Sequence, residues 1–220
     1  MQGSWFDEPV LYVEGVLSRV NTAREVIDLL EQDAEARRDW IRERHQKAQR
    51  QSTDVVYLAE LAGRAREEES ELEELLRETT LLFTVAVYHA VENTLRSVFR
   101  WRLSGLPEFP RERLLRKAHD WRALKSLTKT YFNFQLVLLR GANEVNILRL
   151  VANAVKHADG KVTRELAVAM KRKRGEPIPA SGALLKKLYR PCLLFIVEFV
   201  KAAEKGTRKL FGEPPSKDAG

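Results

Sequence analysis

Arg149, Asn153 and His157 recur at i, i+4 and i+8 within Asn143-Glu-Val-Asn-Ile-Leu-Arg-Leu-Val-Ala-Asn-Ala-Val-Lys-His-Ala-Asp-Gly160. On a helix this spacing places all three close to one face. A guanidinium there would hold a phosphate through paired donors. The amide would orient the histidine or donate to phosphate, and an imidazole would act as general acid/base or activate a ribose 2′-hydroxyl. Each residue also has a plain structural role open to it: Arg149 bridging to Glu144 or Glu92, Asn153 as a buried amide cap, His157 favoured by the dipole at a helix end.

The element that must carry the row is a helix over about 141–157, with Val145, Leu148, Val151, Ala152 and Val155 on its apolar side. It stops at Asp159-Gly160, where Gly can take the left-handed conformation that helix ends often need. Elsewhere the apolar helix Leu81 to Phe99 holds Tyr88, His89 and Glu92. A metal site of His89, His157 and Glu92 is disfavoured, because no close spacing joins the three. The chain has no Gly-rich phosphate loop, Cys cluster or Ser nucleophile elbow. Lys171-Arg-Lys-Arg174 is a run of charge that would stay solvated, contact phosphate or serve as an address signal.

The stretch Leu148-Arg-Leu-Val-Ala-Asn-Ala-Val-Lys-His-Ala-Asp-Gly160 resembles the signature helix of the HEPN superfamily. The resemblance is close over 146–160 and loose over 81–204. Asn153 and His157 match the Asn-x-x-x-His half of the family motif. The family's Arg would stand at Ala152; here Arg149 lies one turn earlier. The resemblance implies an all-helical domain that binds nucleotide or cleaves RNA without metal, in toxin–antitoxin or phage-defence settings. It implies Arg149, Asn153 and His157 as the site, and a polar residue from the preceding helix, for which Glu92 is the candidate. It further implies a homodimer in which two signature helices share a cleft. Lys156, Lys171, Arg172, Lys173 and Arg174 join Glu92 as candidate binding residues.

Composition sets the limits of this reading. Hydrophobic residues at 44% and charged residues at 31% suit a globular chain with long exposed helices. Its net charge of +7 is unevenly spread: residues 1–80 hold 11 Lys/Arg against 19 Asp/Glu, and residues 81–220 hold 27 against 12. The balance is −8 in the first part and +15 in the second, which suits an RNA, DNA or acidic-protein surface, or two parts that neutralise one another. One cysteine, Cys192, sits in an apolar run and reads as an inert core thiol in a reducing cytoplasm. The polar, acidic start is unlike a signal peptide. The longest run without a charge or Gly/Pro, Thr79 to Val91, is too short for the ~20 residues of a membrane span.

Residues 10–104 are almost free of Gly and Pro, which predicts a helix over 10–50, a turn at 49–54 capped by Ser52 or Thr53, and a second helix over 54–104 that Gly63 would interrupt. A loop at 104–110, helices at 111–118 and 121–134, the signature helix, a short helix or turn within 158–170 and a loop at 171–182 follow. The last helix, 183–204, contains Pro191, which should kink it or mark its start. No alternating strand pattern is present, so the fold expected is all-α: a charged helical hairpin or extension over 1–80, a HEPN-like bundle over 81–204, and a flexible tail over 205–220. The face from Leu81 to Phe99 is the expected dimer surface. Function is expected to be that of a helical module engaging RNA, nucleotide or a protein partner such as an antitoxin, without catalysis. The alternative is a metal-independent endoribonuclease. No cofactor is expected.

Overall fold

The breaker-free first half becomes two long helices, α1 (Glu8–Gln51) and α2 (Val55–Arg102). At 1.5 Å per residue they extend about 65 and 70 Å. The computed structural model describes residues 8–104, 108–118, 120–179 and 182–211. Within these, five further helices follow: α3 (Glu108–Lys117), α4 (Trp121–Phe132), α5 (Ala142–His157), α6 (Arg164–Met170) and α7 (Gly182–Phe211), with a 3-10 turn at Leu136–Leu138. The described residues contain no strand, and the chain is an all-α helical bundle.

The turn between α1 and α2 is closed by Asp54 rather than by Ser52 or Thr53. The Asp54 carboxylate accepts from the Val56 and Tyr57 amides, and the Ser52 hydroxyl accepts from the Asp54 amide. The Asp54 charge also meets the positive end of the helix dipole at these first-turn amides. Gly63 does not interrupt α2, since the isolated cost of one Gly is about 1 kcal/mol and the neighbouring turns hold the helix. Arg38–Glu73, Arg42–Glu69 and Arg44–Glu68 pair across the antiparallel helices. The acidic run of α2 is thus faced by the basic end of α1.

The main core does not respect a boundary at residue 80. Val16, Val20, Ala23 and Ile27 of α1 are buried with Val87, Val91, Leu95, Val98 and Phe99 of α2 and with Phe195, Ile196 and Phe199 of α7. The first half of α1 is therefore a bundle helix, and the projecting part of the hairpin is its second half together with the start of α2. An ionic clasp ties α1 to α7: Lys186 pairs with Asp28 and Glu31, and Glu31 accepts from the Gly182 amide. The Lys186 hydrogen bond holds the Asp28 carboxyl below its usual range. The Leu81 to Phe99 face, expected to pair two chains, is used within one: Leu81, Val87, Val91, Leu95 and Phe99 are buried by the chain's own helices.

α7 begins at Gly182, well before Pro191, so the proline does not mark its start. Cys192, Phe195, Ile196 and Phe199 are fully buried just beyond it, and that burial outweighs the ~3 kcal/mol an internal proline costs. Burial also holds the Cys192 thiol protonated, far above the usual thiol range. Of the tail expected from 205, residues 205–211 continue α7, and 212–220 lie outside the described residues.

Candidate functional site

α5 is positioned by contacts on three sides. Its buried residues Val145, Leu148 and Ala152 join the main core against α2 and α7. Leu150, Val151 and Ala154 join a second, smaller core with Leu81, Val162, Leu166 and Ile178. What remains outward is a stripe about 100° wide that holds Asn146, Arg149, Asn153, Lys156 and His157. The helix ends where the sequence places it: Asp159 and Gly160 both have positive φ, and the Gly160 amide donates to the Ala154 carbonyl at 3.2 Å.

The three residues of the predicted row share that face but not a common contact. Arg149 is mostly buried, and its guanidinium donates twice to the Asn146 side-chain oxygen at 3.2 and 3.1 Å. It also lies 3.7 Å from the Glu165 carboxylate and 5.9 Å from the centre of the Trp121 ring. Its partners are thus Asn146 and Glu165 rather than Glu144 or Glu92. Asn153 and His157 are exposed. Asn153 is therefore not a buried cap, and it makes no hydrogen bond to His157.

Lys156 and Glu92 are brought together through a residue the row does not include. Lys156 Nζ donates to His89 Nε2 at 2.8 Å, and His89 Nδ1 lies 3.2 Å from Glu92 Oε2. The second Glu92 oxygen accepts from Arg96 at 2.7 Å. The result is a chain of four polar side chains along the α2–α5 seam. His89, Glu92 and Arg96 are spaced at i, i+3 and i+7, a helical face readable in the sequence; the Lys156 contact spans 67 residues and is not. Behind the chain lies Tyr88, whose phenol is pushed up to about 12 by burial and by the charge of Glu92. The cavity beside it, lined by Tyr88, Glu92, Trp121 and Leu124, has a volume of about 10 Å³ and holds nothing larger than a water-sized group.

The basic loop reaches the same end of the bundle as His157. The Val162 amide donates to the Glu176 carbonyl, Gly175 to Val162 and Ile178 to Gly160, so one isolated antiparallel bridge, Lys161 to Pro177, closes residues 163–175 onto the end of α5. Val162, Leu166 and Ile178 anchor it in the smaller core. Lys171, Arg172, Lys173 and Arg174 are all exposed and meet no acidic partner among the described residues. Lys161 and Arg164 add to this surface.

Three of the acids in the segment are Asp159, Glu165 and Glu176, and Glu165 faces Arg149. Among the described residues no group of three His, Cys, Asp or Glu side chains gathers as metal ligands. No described helix is long and apolar enough to cross a membrane. Comparison with protein-family models, with curated proteins and with solved structures gives no match.

Proposed function

We propose that this chain is a HEPN-like helical module that binds RNA without cleaving it, in a toxin–antitoxin or phage-defence setting. The observation that carries the reading is the pinned basic loop. Four exposed cations, Lys171 to Arg174, without an acidic partner among the described residues, are held at the end of the helix that presents Asn153, Lys156 and His157. Exposed cations on a positioned loop are what phosphate-backbone contact needs. The cavity behind the seam is too small for a base, so a mononucleotide would have to bind elsewhere.

How the row is held supports a reading without catalysis. Arg149 is committed to Asn146 and Glu165, and no hydrogen bond among the described residues orients His157. A general base is effective when a third group fixes it. The endoribonuclease alternative rests on Asn153 and His157 standing exposed side by side one turn apart. We keep a homodimer in the proposal, formed through the side of the hairpin where Leu75 and Leu82 recur at i and i+7 and are 59% and 63% exposed. A mass of one chain by light scattering at micromolar concentration would argue against that assembly.

The test is a gel shift with labelled single-stranded RNA in EDTA. The expected result is a retarded, intact RNA band, lost when Lys171, Arg172, Lys173 and Arg174 are all changed to Ala. Shortened RNA that becomes intact with His157→Ala would establish the nuclease instead.

A further inference from the structure

We propose that His89 and Lys156 together form a phosphate site that fills when His89 takes up a proton. The inference rests on the RNA-binding reading and adds to it a specific contact and its control by pH. An ammonium group has only donors, so in the contact at 2.8 Å the Nε2 atom of His89 must be the acceptor. The ring proton then sits on Nδ1 and is donated to Glu92 Oε2. In this arrangement the imidazole is neutral, and Lys156 is engaged across the α2–α5 seam at the surface.

Protonation converts Nε2 from acceptor to donor. Lys156 then loses its partner, and two adjacent cationic donors, one from α2 and one from α5, face outward. The His89 side chain is 40% exposed and Lys156 is exposed, so an anion reaches both. A phosphate accepting from both removes the repulsion that otherwise opposes protonation, so proton and phosphate bind together. Glu92, fixed on its other oxygen by Arg96, accepts from Nδ1 in either state and keeps the ring oriented.

The other charged groups at the seam are Arg149 on α5, Glu165 on α6 facing Arg149, and Tyr88 behind, whose phenol stays neutral. Cations outnumber acids there, which favours an anion once Lys156 is released. No covalent step is involved.

The test measures the affinity of a labelled single-stranded RNA between about pH 5.5 and pH 8, the range in which imidazoles titrate, at constant ionic strength. Wild-type protein should bind more tightly toward acid, by up to about tenfold per pH unit for one linked proton. His89→Gln, which keeps an acceptor for Lys156, should flatten the profile at its alkaline level. Lys156→Gln should lose the acid-side gain. Melting curves of the variants exclude misfolding. A flat wild-type profile, or a slope that survives His89→Gln, overturns the site while leaving RNA binding standing. Failure to bind RNA at every pH overturns the RNA-binding reading and this site with it.

Discussion

At the scale of single residues, the α5 face separates side chains held for structure from side chains left for ligand. Arg149 belongs to the first group. Arg149→Ala should cost about 1–2 kcal/mol of stability, read by urea denaturation, because it removes two hydrogen bonds and leaves Asn146 and Glu165 without their partner. His157 belongs to the second. His157→Ala should leave stability within about 0.5 kcal/mol of wild type, since the ring is exposed and has no hydrogen-bond or ion-pair partner among the described residues. Tyr88 carries a pH signature. Its phenol is raised in the fold to about 12, so its share of stability is complete below about pH 10 and lost as pH rises toward 12. Tyr88→Phe should therefore remove about 1 kcal/mol of the alkaline loss between pH 8 and 11 in paired denaturation curves. The row itself was readable because i, i+4 and i+8 define a helix face. Its partners were not, because Trp121 and Glu165 reach Arg149 from other helices, and no local pattern encodes those meetings.

At the scale of elements, helix existence was more legible than helix ends and helix neighbours. Apolar periodicity marks α4, α5 and α7, and Asp159-Gly160 marks a terminus that the backbone adopts. The cap at Asp54 was missed among three adjacent capping residues, and Gly63 was overrated as a breaker. The junction of α5 with α7 shows how far such details depend on tertiary fit. Gly141 opens α5 at φ +78, and a Cβ there would lie 1.9 Å from the Pro191 carbonyl oxygen. Gly141→Ala thus combines a left-handed backbone with a backbone clash, and should cost about 2–4 kcal/mol by chemical denaturation. By contrast, changing Arg38, Arg42 or Arg44 to Ala should cost under about 1 kcal/mol each, because their pairs with α2 are solvent-screened.

At the scale of the whole molecule, the contrast between an acidic first part and a basic second part has two physical consequences. Within the hairpin, acidic α2 and basic α1 segments meet, and at α7 the acids Asp28 and Glu31 meet Lys186. Among the described residues Lys171, Arg172, Lys173 and Arg174 find no such partners, and this uncompensated charge is the basis of the RNA-binding proposal. The charge division was legible from counting; which cations stay unpaired was not, because pairing depends on α1 folding back along the bundle. The most direct measurement is the salt dependence of RNA affinity in wild-type protein and in the variant with Lys171, Arg172, Lys173 and Arg174 changed to Ala. Each phosphate contact to a single strand contributes about 0.7 to the slope of log affinity against log salt. The account predicts that the variant binds more weakly and that its slope falls by about 2–3. An unchanged slope, with unchanged affinity, would contradict it.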